Sequence, residues 1–359
     1  MSPVTNDPRP VGVLLVNLGS PEAPTAGAVR RYLREFLSDP RVLDIPAPVR
    51  RTLLETVILP IRSRRSAALY RSIWDPVTGS PLTHHTATLA QQVQASLGKG
   101  WVVKWAMRYG EPSIATGWSA LKNAQVRQVV VVPLYPQGTS STVGSVLDEV
   151  HTQAARDWVP TPMTVVPPFH DVDGFIESWT EVAGPVLADA DADHVLFSFH
   201  SVPQRHLTKA DATGGHCLLS TDCCDLRSSP VAAGCYRAQC VRTAQRLAVS
   251  LDLAPQAWSI SFQSRLGRIP WVEPYTDLEL TRLREQGVLR VAVLCPAFVS
   301  DNLETLEEIG IRARRQWLGA GGEELVLVPS LNGNERWVQA VVDLVRERAG
   351  SEPQAFGLH

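Results

Sequence analysis

Three groups of residues in this chain could do chemistry. The first is His200, which follows the apolar run Val195–Phe199 and enters the loop Ser201-Val202-Pro203. An imidazole held there can exchange a proton near neutral pH or ligate a transition metal. The plainer reading is a buried histidine hydrogen-bonded to backbone. The second group is Ser300-Asp301-Asn302-Leu303-Glu304-Thr305-Leu306-Glu307-Glu308. Asp301 with Glu304 three residues on reads as a capping box. As an α-helix, the segment puts Glu304, Glu307 and Glu308 on one face, a row that could conduct a cation or protons. The third group is five of the six cysteines, Cys217, Cys223, Cys224, Cys235 and Cys240, crowded into one stretch. Cys295 stands apart in an apolar run and reads as core.

Short apolar, β-rich runs must position these groups. They are Val11–Leu18, Val102–Met107, Val129–Tyr135, Met163–Val166, Val195–Phe199, Trp258–Phe262, Val291–Leu294 and Leu325–Val328. They are continuous rather than alternating, as in parallel sheets covered on both faces. Helix-compatible stretches separate them, including Ala87–Leu97, Phe175–Leu187, Val241–Leu251, Asp277–Glu285 and Trp337–Arg348. The alternation predicts an α/β fold with open, doubly wound sheets.

The runs fall into two similar sets of four. Val13–Gly19 parallels Val195–Ser201, Met107–Gly110 parallels Ser264–Gly267, Val131–Tyr135 parallels Val293–Phe298, and Val165–Pro167 parallels Val326–Pro329. This predicts an internal duplication with its boundary near 180–190, at the loop-like Ala188–Asp193. In such sheets ligands bind at the C-terminal strand ends. That rule makes Asn17, Arg108, Tyr109, Tyr135, His200, Arg265, Asp301 and Glu304 candidate site residues. Neither a G-x-G-x-x-G after the first strand nor a G-x-x-x-x-G-K-[ST] is present, so a nucleotide cofactor is not supported.

With 359 residues, 44% of them hydrophobic and a net charge of −2, the chain can bury a large core and is no strongly basic nucleic-acid binder. No apolar run approaches a membrane span, and no signal sequence is evident, which predicts a cytoplasmic protein. In that compartment clustered cysteines argue for a metal centre over disulfides, and four thiolates suit Zn²⁺ or an iron–sulfur cluster. The C-x-x-C pairs of zinc ribbons are missing. Ten arginines between Arg30 and Arg71 face only Glu35, Asp39, Asp44 and Glu55, around the apolar Leu53–Ile61. Such a segment suits either an anionic headgroup layer or a helical hairpin with a solvated basic face.

The sequence resembles the ferrochelatases, which insert ferrous iron into a porphyrin in haem synthesis. The likeness runs through Leu14–Pro21, Tyr70–Trp74 with Gly79–Leu82, Met107–Gly110, Pro133–Gln137 with Ser140–Ser145, Phe197–Pro203, Ser261–Gly267 with Trp271 and Pro274, and Phe298–Thr305. It implies two similar Rossmann-like domains, each a four-stranded parallel sheet flanked by helices, with a porphyrin cleft between them. They would span 10–185, with a membrane-facing lip at about 38–65, and 186–335, with a cysteine-rich insert at about 214–240. A C-terminal helix and tail, 336–359, would follow.

By this resemblance His200 accepts a pyrrole proton or holds Fe²⁺, Glu304 is the facing carboxylate, and Asp301 is a conduit behind it. Asn17, Leu18, Arg108, Tyr109, Tyr135, Ser140 and Trp271 would border the porphyrin, Arg108 pairing with a propionate. Members that use coproporphyrin tend to carry Tyr where Leu18 stands, so Leu18 leans toward protoporphyrin IX. Ser201 replaces the usual Gly after the histidine. Asn302 replaces a frequent His and cannot relay a proton by titrating.

Some microbial members carry a [2Fe–2S] cluster in an insert similar to this one, which assigns Cys217, Cys224, Cys235 and Cys240 as ligands with Cys223 in reserve. Members without clusters often have Cys where Cys240 stands. The insert lies far from His200 in topology, which predicts a stabilising or sensing role. The expected partners are protoporphyrin IX, ferrous iron and, at the periphery, membrane lipid on the inner face of the membrane; a homodimer is left open. The alternatives are a coproporphyrin III ferrochelatase, another tetrapyrrole chelatase, and, in a different class, a porphyrin carrier or iron–sulfur sensor without catalysis.

Overall fold

A computed structural model of the chain describes residues 7–350 apart from 221, 225–229, 266 and 268. Leu266 of the quoted motif, part of the cysteine insert and the last residues of the tail lie outside this set.

All eight expected strands form. They are β1 (Val11–Gly19), β2 (Trp101–Tyr109), β3 (Gln128–Pro133), β4 (Met163–Val165), β5 (His194–His200), β6 (Trp258–Gln263), β7 (Arg290–Leu294) and β8 (Glu324–Leu327). They build two four-stranded sheets in the orders β2-β1-β3-β4 and β6-β5-β7-β8, with every pair parallel. The central strands are buried along nearly their whole length, as their unbroken apolar sequence requires. Helices such as Pro81–Leu97, Asp173–Ala190, Tyr236–Ser250 and Glu335–Gly350 connect or cover them.

The two sheets share one order and one register. Val13 pairs with Val103 and Val130, and its counterpart Val195 pairs with Trp258 and Ala292. Counting along the strands makes Leu18 the counterpart of His200 and Gly19 that of Ser201, as expected from sequence. The second strands correct the expectation. Met107 N–H donates to Pro112 O at 2.7 Å, and Phe262 N–H donates to Pro274 O at 2.7 Å. Met107 therefore corresponds to Phe262, and Arg108 to Gln263 rather than to Arg265. The shared Arg-x-Gly letters had drawn the alignment two residues out of step.

The chain divides into two units, one of 1–134, 140–167 and 337–359, the other of 135–139 and 168–336. This differs from a cut near 185. The helix Asp173–Ala190 packs against Tyr236–Ser250 and so belongs with the second sheet. The last helix returns to the first unit, where Gln128 Nε2 donates to Ala349 O at 3.1 Å. Tyr135, expected with the first half, belongs to the second. The neighbouring Gln137 donates to Thr243 Oγ1 at 2.9 Å, and Gly138 N–H to Gln239 Oε1 at 2.8 Å.

Among the described residues three segments wind as π-helix: Leu54–Ile58, Ser140–Gly144 and Glu304–Ala313. Such turns are rare, and they concentrate at functional positions. Among the described residues no helix is long and apolar enough to cross a membrane.

Candidate functional site

In the second unit His200 is the last residue of β5. Its Nδ1–H donates to Ser201 O at 2.5 Å, which leaves the lone pair on Nε2 uncommitted. Burial holds the ring below its ordinary pKa against the opposing pull of Glu308, so the imidazole is neutral at pH 7. The Phe298 ring meets it edge-on at 6.2 Å. Ser201 is fully buried. Its N–H donates to Gln263 O at 2.7 Å and its hydroxyl to Val272 O at 2.9 Å. The replacement of Gly thus pins the loop after the histidine.

Gln263 pairs with His200 in the β5–β6 register, and its Nε2 donates to Glu304 O at 2.8 Å. This ties the histidine strand to the start of the π-helix. Burial raises the Glu304 carboxyl to about 7, and the neighbouring Glu308 adds to the shift. Glu308 accepts from Ser264 N–H at 3.0 Å and from the Ser264 hydroxyl. Glu307 pairs with Arg312 at 2.8 Å, and Glu308 lies 3.9 Å from the same guanidinium. The charge of Glu307, like that of Glu308, also raises the Glu304 carboxyl.

The helix cap differs from the expected capping box. Asn302 Oδ1 accepts from Glu304 N–H at 2.9 Å and Thr305 N–H at 3.1 Å, so Asn302 is the cap and Glu304 is released from that duty. Asp301 accepts from Thr305 Oγ1 at 3.0 Å, Asn332 Nδ2 at 2.8 Å and Ser330 N–H at 3.2 Å. Its carboxylate clasps the loops after β7 and β8 together. Trp271 O accepts from Gln204 Nε2 at 3.1 Å, holding the loop that also bonds Ser201. Arg265 lies over the Tyr275 ring at 4.2 Å and pairs with Asp277 at 2.6 Å.

In the first unit Arg108 does not offer a free cation. Its Nη2 pairs with Asp39 at 2.9 Å and its Nε donates to Ser145 Oγ at 2.7 Å. Asp39 also accepts from Tyr109 OH at 2.8 Å and Ser145 Oγ at 2.6 Å. Burial alone would raise the Asp39 carboxyl, but the bonds from Ser145, Arg41 N–H and Tyr109 together with the Arg108 charge hold it below the usual range. Asn17 is turned inward, donating to Thr86 Oγ1 at 3.0 Å and accepting from Leu18 N–H at 2.9 Å. Ser140 accepts from Arg41 at 3.1 Å. Gly19, at φ +118°, lies against Tyr109, where a Cβ would stand 1.8 Å from the carbonyl oxygen.

All five insert cysteines are buried and unpaired by disulfide. The thiol of Cys224 donates to Cys235, and together with the N–H groups of Ala238 and Arg237 and the thiol of Cys217 it holds Cys235 down to about 6. Cys217 is pushed up to about 12 by burial and by Cys235. Arg237 donates to Cys224 Sγ at 3.1 Å. Among the described residues, no three His, Cys, Asp or Glu side chains stand ready around a metal position. The insert is not remote from the histidine, contrary to the topological expectation. Cys235 caps the helix Tyr236–Ser250, and the Tyr236 hydroxyl donates to His200 O at 2.7 Å.

Gln263, Ser264, Tyr236, Asp39 and Ser145 carry this geometry and escaped the sequence reading. Gln263 and Ser264 sit in a strand-end motif that marked them; nothing local marks Asp39 or Tyr236 as partners of residues far away in sequence.

The family model described as ferrochelatase matches residues 10–349. A protein named ferrochelatase from Stutzerimonas stutzeri is 48% identical over 332 residues, covering 92% of this chain and 96% of that protein. One from Pseudomonas fluorescens is 48% identical over 337 residues, 94% and 97% of the two chains. Among solved structures, "SirB from Bacillus subtilis with Fe3+" aligns over 98% of this chain and 100% of that one with a TM-score of 0.53 at 11% identity, a likeness of fold alone.

Proposed function

The chain belongs to the ferrochelatase family, and from that membership we propose that it inserts Fe²⁺ into protoporphyrin IX, releasing two protons and forming protohaem. It is a metal chelatase of the lyase class, acting in haem synthesis. The observation that carries the residue assignment is the neutral His200 with its Nδ1–H tied to Ser201 O, on a strand bound through Gln263 to the Glu304 turn.

Metallation needs a bent macrocycle, and bending costs a few kcal/mol that binding must supply. The Nε2 lone pair of His200 accepts a pyrrole proton or holds the incoming ferrous ion. Glu304 alternates between acid and carboxylate near pH 7, so it takes the second proton or meets the metal without leaving a permanent buried charge. Glu308, anchored on Ser264, supplies the negative charge that favours a cation there. Asp301 serves as the clasp at the mouth of this turn. The test is anaerobic metallation by wild type and His200→Ala. A loss of about 10³-fold is expected; unchanged turnover would remove His200 from the mechanism. Side-by-side rates on protoporphyrin IX and coproporphyrin III test the substrate, which Leu18 favours as the former.

Leu18, Tyr109, Ser140, Tyr135 and Trp271 would border the porphyrin by family likeness. The Asp39-paired Arg108 positions Tyr109 rather than binding a propionate. A [2Fe–2S] cluster fits the insert by the chemistry of its donors, since buried thiols gather around Cys235 and one is already held low. Cys217, Cys224, Cys235 and Cys240 would hold it, with Cys223 in reserve. When bound, it supplies a redox-sensitive cross-link. Val49, Leu53, Val57 and Ile61 expose apolar side chains at intervals of four among Arg50, Arg51, Arg62, Arg64 and Arg65. This segment rests on anionic lipid at the cytoplasmic face.

A further inference from the structure

Two hollows flank one length of chain, the helix Ala47–Leu53 and the π turn Leu54–Ile58 that continues it. Ala47, Arg50, Arg51, Leu54 and Glu55 recur at helical spacing and share one face. With Arg34 and Ser38 of the helix Ala26–Ser38 they line a cavity of about 460 Å³. Pro48, Val49, Thr52, Leu53, Thr56 and Val57 make the adjoining face and line a second hollow of about 450 Å³. Both volumes fall in the ~300–1,000 Å³ range of small-ligand sites.

The first hollow is charged in one sense, with three guanidinium groups against one carboxylate. That carboxylate is already engaged. Glu55 accepts from Arg34 Nε at 2.5 Å and Nη2 at 3.0 Å, and from Arg30 Nη2 at 3.3 Å. Arg50 is anchored through Nη1 on Leu43 O at 3.2 Å and Ile45 O at 3.0 Å. Arg51 is exposed and has no hydrogen bond or ion pair among the described residues. Two anchored guanidiniums and one unengaged one therefore line a space whose positive charge is not balanced. Planar, forked donors of this kind suit a phosphate. The second hollow has no charged side chain in its lining, and the Thr56 hydroxyl is turned to Thr52 O at 2.8 Å.

An anion-binding hollow beside an aliphatic one fits an amphiphile with a phosphate head and an alkyl chain. We propose that the pair is a stoichiometric site for one anionic glycerophospholipid. Its phosphate lies against Arg34, Arg50 and Arg51, and the start of one acyl chain lies along Val49, Leu53 and Val57. This deepens the membrane reading given above and rests on it: the apolar stripe provides adsorption to a surface, whereas the paired hollows select a head group. A tetrapyrrole also carries acid groups, but the second hollow offers its flat ring no aromatic side chain to stack on. Glu55 ties this segment to the helix Ala26–Ser38, so the phosphate sits at the joint between the two.

The experiment titrates the full chain calorimetrically with dihexanoyl-phosphatidylglycerol below its micelle concentration, which removes the lipid surface and leaves only the site. Wild type is expected to bind one equivalent, about tenfold or more tighter than dihexanoyl-phosphatidylcholine. Arg51→Gln is expected to weaken binding about fivefold, the weight of one arginine at an anionic head group. Arg64→Gln, an exposed arginine outside both hollows, should change it less than about twofold. Leu53→Ser should weaken the lipid about fivefold and leave glycerol 3-phosphate, which has no acyl chain, unaffected. Equal losses in Arg51→Gln and Arg64→Gln, or no preference for the anionic lipid, would overturn the proposal. Inorganic phosphate binding as tightly as the lipid would make this a free-anion site and overturn it too. Displacement of the lipid by one equivalent of protoporphyrin IX would give the hollow to the porphyrin carboxylates instead. Sedimentation of wild type with phosphatidylglycerol vesicles but no saturable binding of monomeric lipid would reject the site and leave the membrane reading. Saturable binding without sedimentation would reject the membrane reading and leave the site.

Discussion

Gln263 reaches the main-chain oxygen of Glu304 through its side-chain amide, 2.8 Å away, while its own backbone pairs with His200. One glutamine therefore fixes the separation of the two residues to which the chemistry is assigned. Replacing it with Leu should cost little in KM and about tenfold or more in kcat, since a small misplacement of reacting groups is expensive. Steady-state zinc insertion checks this, and an unchanged kcat would contradict it.

Glu304 gives a signed pH prediction. Its folded pKa of about 7 lies above the ordinary 4.5, so the folded state holds the proton more tightly. Stability drawn from this group is full below pH 4.5 and falls as pH rises toward 7. The full shift corresponds to roughly 3 kcal/mol. Glu304→Gln should therefore gain stability relative to wild type on moving from pH 5 to pH 8, by up to that amount. Urea unfolding at the two pH values measures it, and the difference between proteins cancels the opposite trend of His200.

Asp39 holds the first unit's polar cluster. Asp39→Asn would leave the largely buried Arg108 without its counter-charge and weaken the bonds from Tyr109 and Ser145. A loss of about 3 kcal/mol is expected, together with an Arg108 that can bind free carboxylates. Thermal unfolding with and without succinate reads both effects.

The exposed stripe Val49, Leu53, Val57, Ile61 predicts lipid binding. Val57→Glu with Ile61→Glu should lower partitioning onto phosphatidylglycerol vesicles by about tenfold or more, given about 1.5–3 kcal/mol for each buried aliphatic side chain, and should leave metallation in detergent intact. Equal sedimentation of both proteins with vesicles would refute the assignment.

For the cysteine centre, Cys235→Ser should abolish retention of iron and sulfide after anaerobic reconstitution, since Cys235 is the thiol around which the others gather. Visible absorption and metal analysis decide it, and a colourless, zinc-loaded wild type would exclude the iron–sulfur assignment.

The strands were legible in sequence because fully buried parallel strands are written as unbroken apolar runs, and all eight segments were locatable. The register of β6 was not, because the Arg and Gly repeated in letters occupy different steps of the two copies. Local pattern also suggested Asp301 as the cap, whereas the backbone gives that role to Asn302 and uses Asp301 to bind Asn332. The π-winding of Glu304–Ala313 left no mark that residue spacing could reveal, since an α-helix would carry the same residues. His200 and Glu304 were visible from strand-end position and from family likeness. Tyr236 was not, because its role depends on a carbonyl brought near only by folding.

Leu18 occupies the position in the first sheet that His200 occupies in the second. A duplicated scaffold has thus kept two matching mounts and fitted only one with a reactive head. Fitting an imidazole to the idle mount, by Leu18→His, asks whether reactivity here is inherited from the mount or conferred by its neighbours.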